Sequence, residues 1–169
     1  MKTLVQQLSQ YALYHRDPRN IMTHYVGIPL IVIAIFSLLG APLLGDFSLT
    51  HGLIVGSCLF YLLLDLRFGL VMLAFSACCY AAAMPLLALP FSSWLTASIG
   101  IFVVGWVFQF IGHYFEGKKP AFVDDLVGLL IGPMFILAEL AFSLGIAKGL
   151  QAQIDEVAGP VRKREMAKS

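Results

Sequence analysis

Polar residues are sparse along this chain, and they divide it into long apolar runs. Within residues 3–14, Leu4, Leu8 and Tyr11 share one helical face, with Val5 and Ala12 beside it. That pattern predicts a short amphipathic helix, lying at a membrane interface or packed on one end of the protein. Asp17-Pro18 is a helix-start signal, because Asp caps unpaired N–H groups and Pro suits the first helical position. A first span follows from residue 18 to 40, apolar between Tyr25 and Leu39, with Pro29 expected to bend it. The second apolar run is His51 to Leu64, interrupted by Asp65-Leu66-Arg67, and a turn near Arg67-Phe68-Gly69 is the preferred boundary. Phe68 to Leu89 is the third, ended by Pro85 and Pro90. Trp94 to Phe115 is the fourth, long enough for a hydrocarbon core of ~30 Å. Val123 to Gly145 is apolar again, but Gly132-Pro133 divides it and Glu139 sits inside it.

Composition settles the solvent these runs expect. Of the 169 residues, 59% are hydrophobic and 12% charged, against about 25% charged in a soluble domain. The chain reads as a single membrane-embedded domain, all-α: residues 1–17 an amphipathic segment, 18–146 membrane helices, 147–169 a basic cytoplasmic tail. Lys and Arg sort the loops. The N-terminal segment holds Lys2, Arg16 and Arg19, Arg67 follows span two, and Lys118 and Lys119 follow span four, whereas the loops after spans one and three carry none. The C-terminal cations Lys148, Arg162, Lys163, Arg164 and Lys168 then belong on the same inner side as the N-terminus. Four transmembrane helices plus a broken re-entrant or interfacial segment, bent at Gly132-Pro133, satisfy this pattern; a full fifth span is the alternative. A bacterial inner membrane is the expected location, or the endoplasmic reticulum in a eukaryote. A net charge of +1 gives no basic stripe for nucleic acid. Cys58, Cys78 and Cys79 lie in apolar runs and read as packing residues.

The same topology sorts the four histidines. His15, His24 and His113 fall at the inner face, and His51 at the outer. Gln109, His113 and Glu116 share a stripe at the end of the fourth run. Ionisable groups at membrane depth are costly and tend to mark sites. Imidazoles suit iron, zinc, copper or nickel, and three protein ligands with open positions suit a catalytic metal. The residues allow three histidines, or two with Glu116. Asn20 and Gln109, each four before a histidine, are candidates to orient the ligands. Glu139 needs a partner, for which Arg16, Lys118 and Lys119 are available. Two other readings stay open: a non-enzymatic protein whose histidines contact lipid headgroups, and a bis-histidine haem protein built on His24 and His113.

Two blocks carry a family resemblance: Tyr14-His15-x-x-Pro18-x-Asn20-x-x-x-His24-x-x-x-x-Pro29, and Gly105-Trp106-x-Phe108-Gln109-Phe110-x-Gly112-His113-x-x-Glu116. The second continues through Pro120-Ala121-x-x-Asp124-x-Leu126 to Pro133 and Glu139. In these blocks the chain resembles the 2-hydroxy fatty acid dioxygenases; Asp125 departs, where Asn is expected. The resemblance implies a non-haem Fe(II) enzyme that converts a 2-hydroxy fatty acid and O₂ to the acid one carbon shorter and CO₂. It implies His15, His24 and His113 as iron ligands, and Glu116 and Asp124 as further ligands or acid/base groups. Arg16, Arg19, Lys118 and Lys119 are the cations available to hold the substrate carboxylate, with the acyl chain among the apolar spans and membrane lipid around it.

Overall fold

A computed structural model describes residues 2–120 and 127–165. Seven helices follow one another among them: α1 (Leu4–Ala12), α2 (Pro18–Leu38), α3 (Leu49–Leu64), α4 (Leu66–Leu87), α5 (Phe91–Glu116), α6 (Gly128–Ser143) and α7 (Lys148–Ala158). A small antiparallel hairpin of β1 (Pro42–Leu44) and β2 (Phe47–Ser48) joins α2 to α3. Helices α2, α4 and α5 are long and apolar enough to cross a membrane, and the pair α6–α7 makes a fourth if that bent pair is one span. The predicted second span is α3, a helix of 16 residues. At 1.5 Å per residue it covers about 24 Å, short of a full crossing.

Three boundaries differ from those the sequence suggests. The break between α3 and α4 falls at Asp65, not near Gly69: the Asp65 carboxylate accepts the Phe68 N–H at 2.9 Å and so caps α4. Pro85 lies inside α4, which ends at Leu87. Most consequentially, α6 runs without interruption through Gly132-Pro133. Pro133 stands in the second turn, where its missing N–H removes one bond near the helix start, and both residues are buried. The break comes later, where Gly145 at φ +77° and Ala147 at φ +56° leave the helical region. The chain there bends by 116° into α7.

The residues form two compact units, one of residues 27–107 and one of residues 1–26 with 108–169; the boundaries fall inside α2 and α5. In the first, Phe36, Cys79 and Ala83 form a buried cluster with Val32, Ile35, Ile54 and Phe75 against it. Helices α3 and α4 pack closely at Gly69, where an added Cβ would lie 2.7 Å from the Leu62 backbone. A similar approach joins α2 and α5: a Cβ at Gly105 would meet the Gly27 carbonyl at 3.0 Å. Polar links are few and paired, as apolar surroundings demand. Ser37 and Ser98 share a hydrogen bond of 2.8 Å, Trp94 Nε1–H donates to Ser37, and Thr50 donates to the Phe36 carbonyl. His51 belongs here. Its Nδ1 accepts the Ser48 N–H at 3.1 Å, and its Nε2 lies 3.1 Å from the Tyr80 hydroxyl.

In the other unit α1 packs against α6 and α7. A capping box starts α1, with Gln6 N–H donating to Thr3 Oγ1 and Thr3 N–H to Gln6 Oε1. Its inner face of Leu8, Tyr11 and Ala12 is buried, as are Ile131, Met134, Phe135 and Ile136 of α6. The basic tail expected after residue 147 is therefore partly helix, and its described part beyond α7 is bonded to residues 16–19.

Candidate metal centre

Three elements deliver the three histidines. His24 lies on α2, two turns past the Asp17-Pro18 start. His113 lies in the last turn of α5. His15 lies on the turn between α1 and α2, which the His15 N–H closes by donating to the Ala12 carbonyl at 3.0 Å. Gly112 lets α2 and α5 approach at this level. A Cβ there would overlap Thr23 Oγ1 and Asn20 Oδ1, and would lie 3.2 Å from His24 Nδ1. Gly112→Ala is therefore expected to push the helices apart at His24 and to destabilise the fold by about 1–3 kcal/mol. A melting curve measured with metal content checks this; unchanged values for both would refute it.

The three imidazoles are 0%, 1% and 6% exposed for His15, His24 and His113, which removes them from headgroup contact. Their ring centroids lie 4.6, 4.8 and 5.1 Å apart, pairwise near-perpendicular. One ligand atom from each falls within 4.8 Å of the others, and this is the metal-competent group formed among the described residues. Tyr11 stacks on His15 at 4.1 Å with planes 2° apart, and Phe135 stands 5.5 Å from the same ring.

Backbone carbonyls fix the tautomers. His15 Nδ1 is 2.8 Å from the Tyr11 carbonyl, and His24 Nδ1 is 2.9 Å from the Asn20 carbonyl. A carbonyl only accepts, so each Nδ1 carries the proton and each Nε2 keeps its lone pair. Those two Nε2 atoms face each other at 3.1 Å. Two lone pairs at that distance repel unless a cation lies between them. Burial, and next the neighbouring His24 and His113, hold the His15 ring well below its ordinary pKa, so the ring is neutral at pH 7. His113 Nδ1 is buried and has no hydrogen-bond partner among the described residues.

The other predicted site residues take defined places. Glu116 is fully buried and stands outside the converging group. Its Oε2 accepts the N–H groups of Arg16 and Asp17 at 2.9 and 2.7 Å and Asn20 Nδ2 at 3.2 Å. Its Oε1 has no hydrogen-bond partner among the described residues, and the Arg164 Nε lies 3.9 Å from it as an ion pair. Asn20 orients His24 through its main-chain carbonyl, while its side chain also donates to the Tyr14 carbonyl at 3.2 Å. Gln109 is buried, with Nε2 unpaired among the described residues. Glu139 meets Arg16 at 2.7 Å. Arg16 spends its remaining donors on the carbonyl of His15, on Asp155 and on the Gly159 carbonyl. Arg19 forks onto Asp17 and lies 4.6 Å over the Phe115 ring. Hydrogen bonds from Arg19 hold the Asp17 carboxyl down at about 2. Lys118 donates to the Leu13 carbonyl at 2.6 Å. Lys119 lies in the loop after α5, and Asp124 lies outside the described residues.

The sequence marks Asp17 only as a helix cap and Arg164 only as a tail cation, and it does not mark Asp155, because a charge in a polar segment reads as solvated there. Tyr11 had a readable signal. It stands four residues before His15, as Asn20 stands four before His24, and in a helical turn that spacing brings a carbonyl under the imidazole.

The chain matches the family model described as "2-hydroxy-palmitic acid dioxygenase Mpo1-like" over residues 1–144. The 2-hydroxy-palmitic acid dioxygenase MPO1 of Saccharomyces cerevisiae is 34% identical over 157 residues, which cover 90% of this chain and 87% of the yeast protein. No solved structure matches the chain. With both buried blocks of its histidine cluster inside the matched region, this chain belongs to the Mpo1-like family.

Proposed function

We propose that this protein is an Fe(II)-dependent 2-hydroxy fatty acid dioxygenase of the membrane, with His15, His24 and His113 holding the iron. The observation that carries the reading is the pair of Nε2 lone pairs facing each other at 3.1 Å, with their tautomers set by backbone carbonyls. That spacing suits two nitrogens bound about 2.0–2.1 Å from one ion. The donor set fits a divalent first-row metal: three neutral, buried imidazoles and the unpaired Nδ1 of His113. A haem is a poor fit, because the His15 ring packs edge-on against both His24 and His113 and leaves no slot for a porphyrin.

The reaction balances without a cosubstrate: a 2-hydroxy acid and O₂ give the acid one carbon shorter, CO₂ and water. When bound, the iron supplies the one-electron chemistry that lets O₂ react, and a Lewis acid for the substrate oxygens. The chain supplies the rest. Three neutral imidazoles bring no charge, so the substrate carboxylate is the anion the site lacks. Arg16 and Arg19 are committed to Glu139, Asp155 and Asp17, so Lys118, whose hydrogen bond goes to a main-chain carbonyl, is the cation assigned to draw in the carboxylate. The ammonium of Lys118 has three donors, one of which serves Leu13. Glu116 Oε1 is the acceptor available for the 2-hydroxyl proton, while Oε2 stays anchored. The apolar run of α5 beyond Gln109 suits an acyl chain. Because α1 packs on α7, both ends of the chain are assigned to one membrane side, the cytoplasmic side by the loop charges.

Purified protein in lipid nanodiscs, stripped by chelator and reloaded with Fe(II), is expected to convert 2-hydroxypalmitate to the C15 acid with release of CO₂. Stripped protein and protein reloaded with Zn(II) are expected to be inactive, since zinc has no redox chemistry. Fe(II)-loaded protein that leaves the 2-hydroxy acid untouched would overturn the proposal.

A further inference from the structure

His24 and His113 are carried by long helices, whereas His15 stands on a turn. The backbone after that turn is held by the far end of the chain. Past Gly159 the chain has no regular secondary structure and is bonded to residues 16–19. Arg162 N–H donates to the Arg16 carbonyl at 3.0 Å, and Arg164 N–H donates to Asp17 Oδ2 at 2.8 Å. The Arg164 carbonyl accepts from Arg19 Nη2 at 3.1 Å, and its guanidinium donates to the Glu116 carbonyl. From α7, Asp155 and the Gly159 carbonyl each accept from Arg16 Nη1 at 3.1 Å.

Residue 16 is thus held at every polar point. Its N–H goes to Glu116 Oε2, its C=O to Arg162, and its side chain to Glu139, Asp155 and Gly159. It is also the residue joined to His15. The family match ends at residue 144, so the C-terminal half of this clamp lies beyond it.

We propose that Gly159–Arg164 is a strap that positions His15: by fixing the backbone at Arg16 and Asp17 it holds the His15 imidazole against His24 and His113. Its hold on His15 runs through the Arg16 and Asp17 backbone, and Arg164 at its end also lies with Nε 3.9 Å from Glu116 Oε1. The inference rests on the three-histidine metal reading.

The test uses full-length protein in nanodiscs with Co(II) as the probe. Arg162→Pro deletes the N–H that bonds the Arg16 carbonyl, in a stretch outside any helix or strand, where Pro breaks no helical or ladder bond. Arg162→Ala keeps that N–H and removes an exposed side chain. Arg162→Pro is expected to bind Co(II) about five-fold more weakly, the scale of one backbone hydrogen bond, with an altered d–d absorption band. Arg162→Ala is expected to match the unaltered protein in both readouts. In parallel, amide exchange over residues 14–17 is expected to quicken in Arg162→Pro alone. Equal Co(II) spectra and affinities for the two variants, or equal exchange, would overturn the strap. If the unaltered protein binds no Co(II), the metal reading fails, and the exchange comparison still decides whether the strap holds the turn.

Discussion

His113→Ala is expected to lower both iron occupancy and turnover by more than about 100-fold, while His51→Ala leaves both within about two-fold. The scale follows from the ligand count. Loss of a supporting residue around a metal typically costs 10–100-fold in affinity or activity, and removing one of three ligands exceeds that. The contrast between the two histidines is the stronger part of the prediction, because composition treats them alike. His113 sits in a buried group of three rings, with Nδ1 unpaired among the described residues. His51 is satisfied at both nitrogens, by the Ser48 N–H and the Tyr80 hydroxyl. Its removal costs about 1 kcal/mol of local bonding. Metal analysis alongside product quantification gives the answer, and equal losses at the two positions would refute the assignment of the site.

Arg16→Met is expected to destabilise the folded protein by about 3–5 kcal/mol, the range for stranding the partner of a buried ion pair. Arg16 and Glu139 are both about nine-tenths buried and meet at 2.7 Å, and Asp155 adds a second carboxylate at 3.1 Å. Without the guanidinium, Glu139 keeps its desolvation cost and loses its compensation. Arg16→Lys should recover little, since an ammonium lacks the planar fork that reaches Glu139, Asp155 and the Gly159 carbonyl together. Arg16→Met with Glu139→Met should recover most of the loss, because replacing a whole buried pair by apolar side chains is often neutral. Denaturation in mixed micelles measures all three variants. A loss below about 1 kcal/mol for Arg16→Met would show that the pair is solvated.

Much of the helical order was legible. Apolar runs long enough to span a bilayer, the Asp17-Pro18 start and the amphipathic period of residues 4–12 are local signals, and local periodicity is what a sequence displays. Loop charges placed three histidines at one end and His51 elsewhere, and the three now form one buried group. The Glu139–Arg16 pair was within reach of the same reasoning, since a carboxylate in an apolar helix requires a cation. The bend of the last apolar run was misplaced because Gly132-Pro133 is the louder signal. A proline in an early turn costs one hydrogen bond, whereas the left-handed backbone at Gly145 and Ala147 ends the helix.

The sequence by itself determined that this chain is helical, that its long runs suit lipid, and that an imidazole cluster lies at one end, because each follows from side-chain type and spacing. Tertiary structure decided how the cluster works. The tautomers of His15 and His24 are set by main-chain carbonyls, Glu116 is anchored by main-chain N–H groups, and the C-terminal segment clasps the His15 turn through its backbone. Main-chain groups are the same at almost every residue, so the long-range bonds that anchor Glu116 and the C-terminal segment, unlike the four-residue spacing under each imidazole, leave no mark in the sequence until folding brings their partners together.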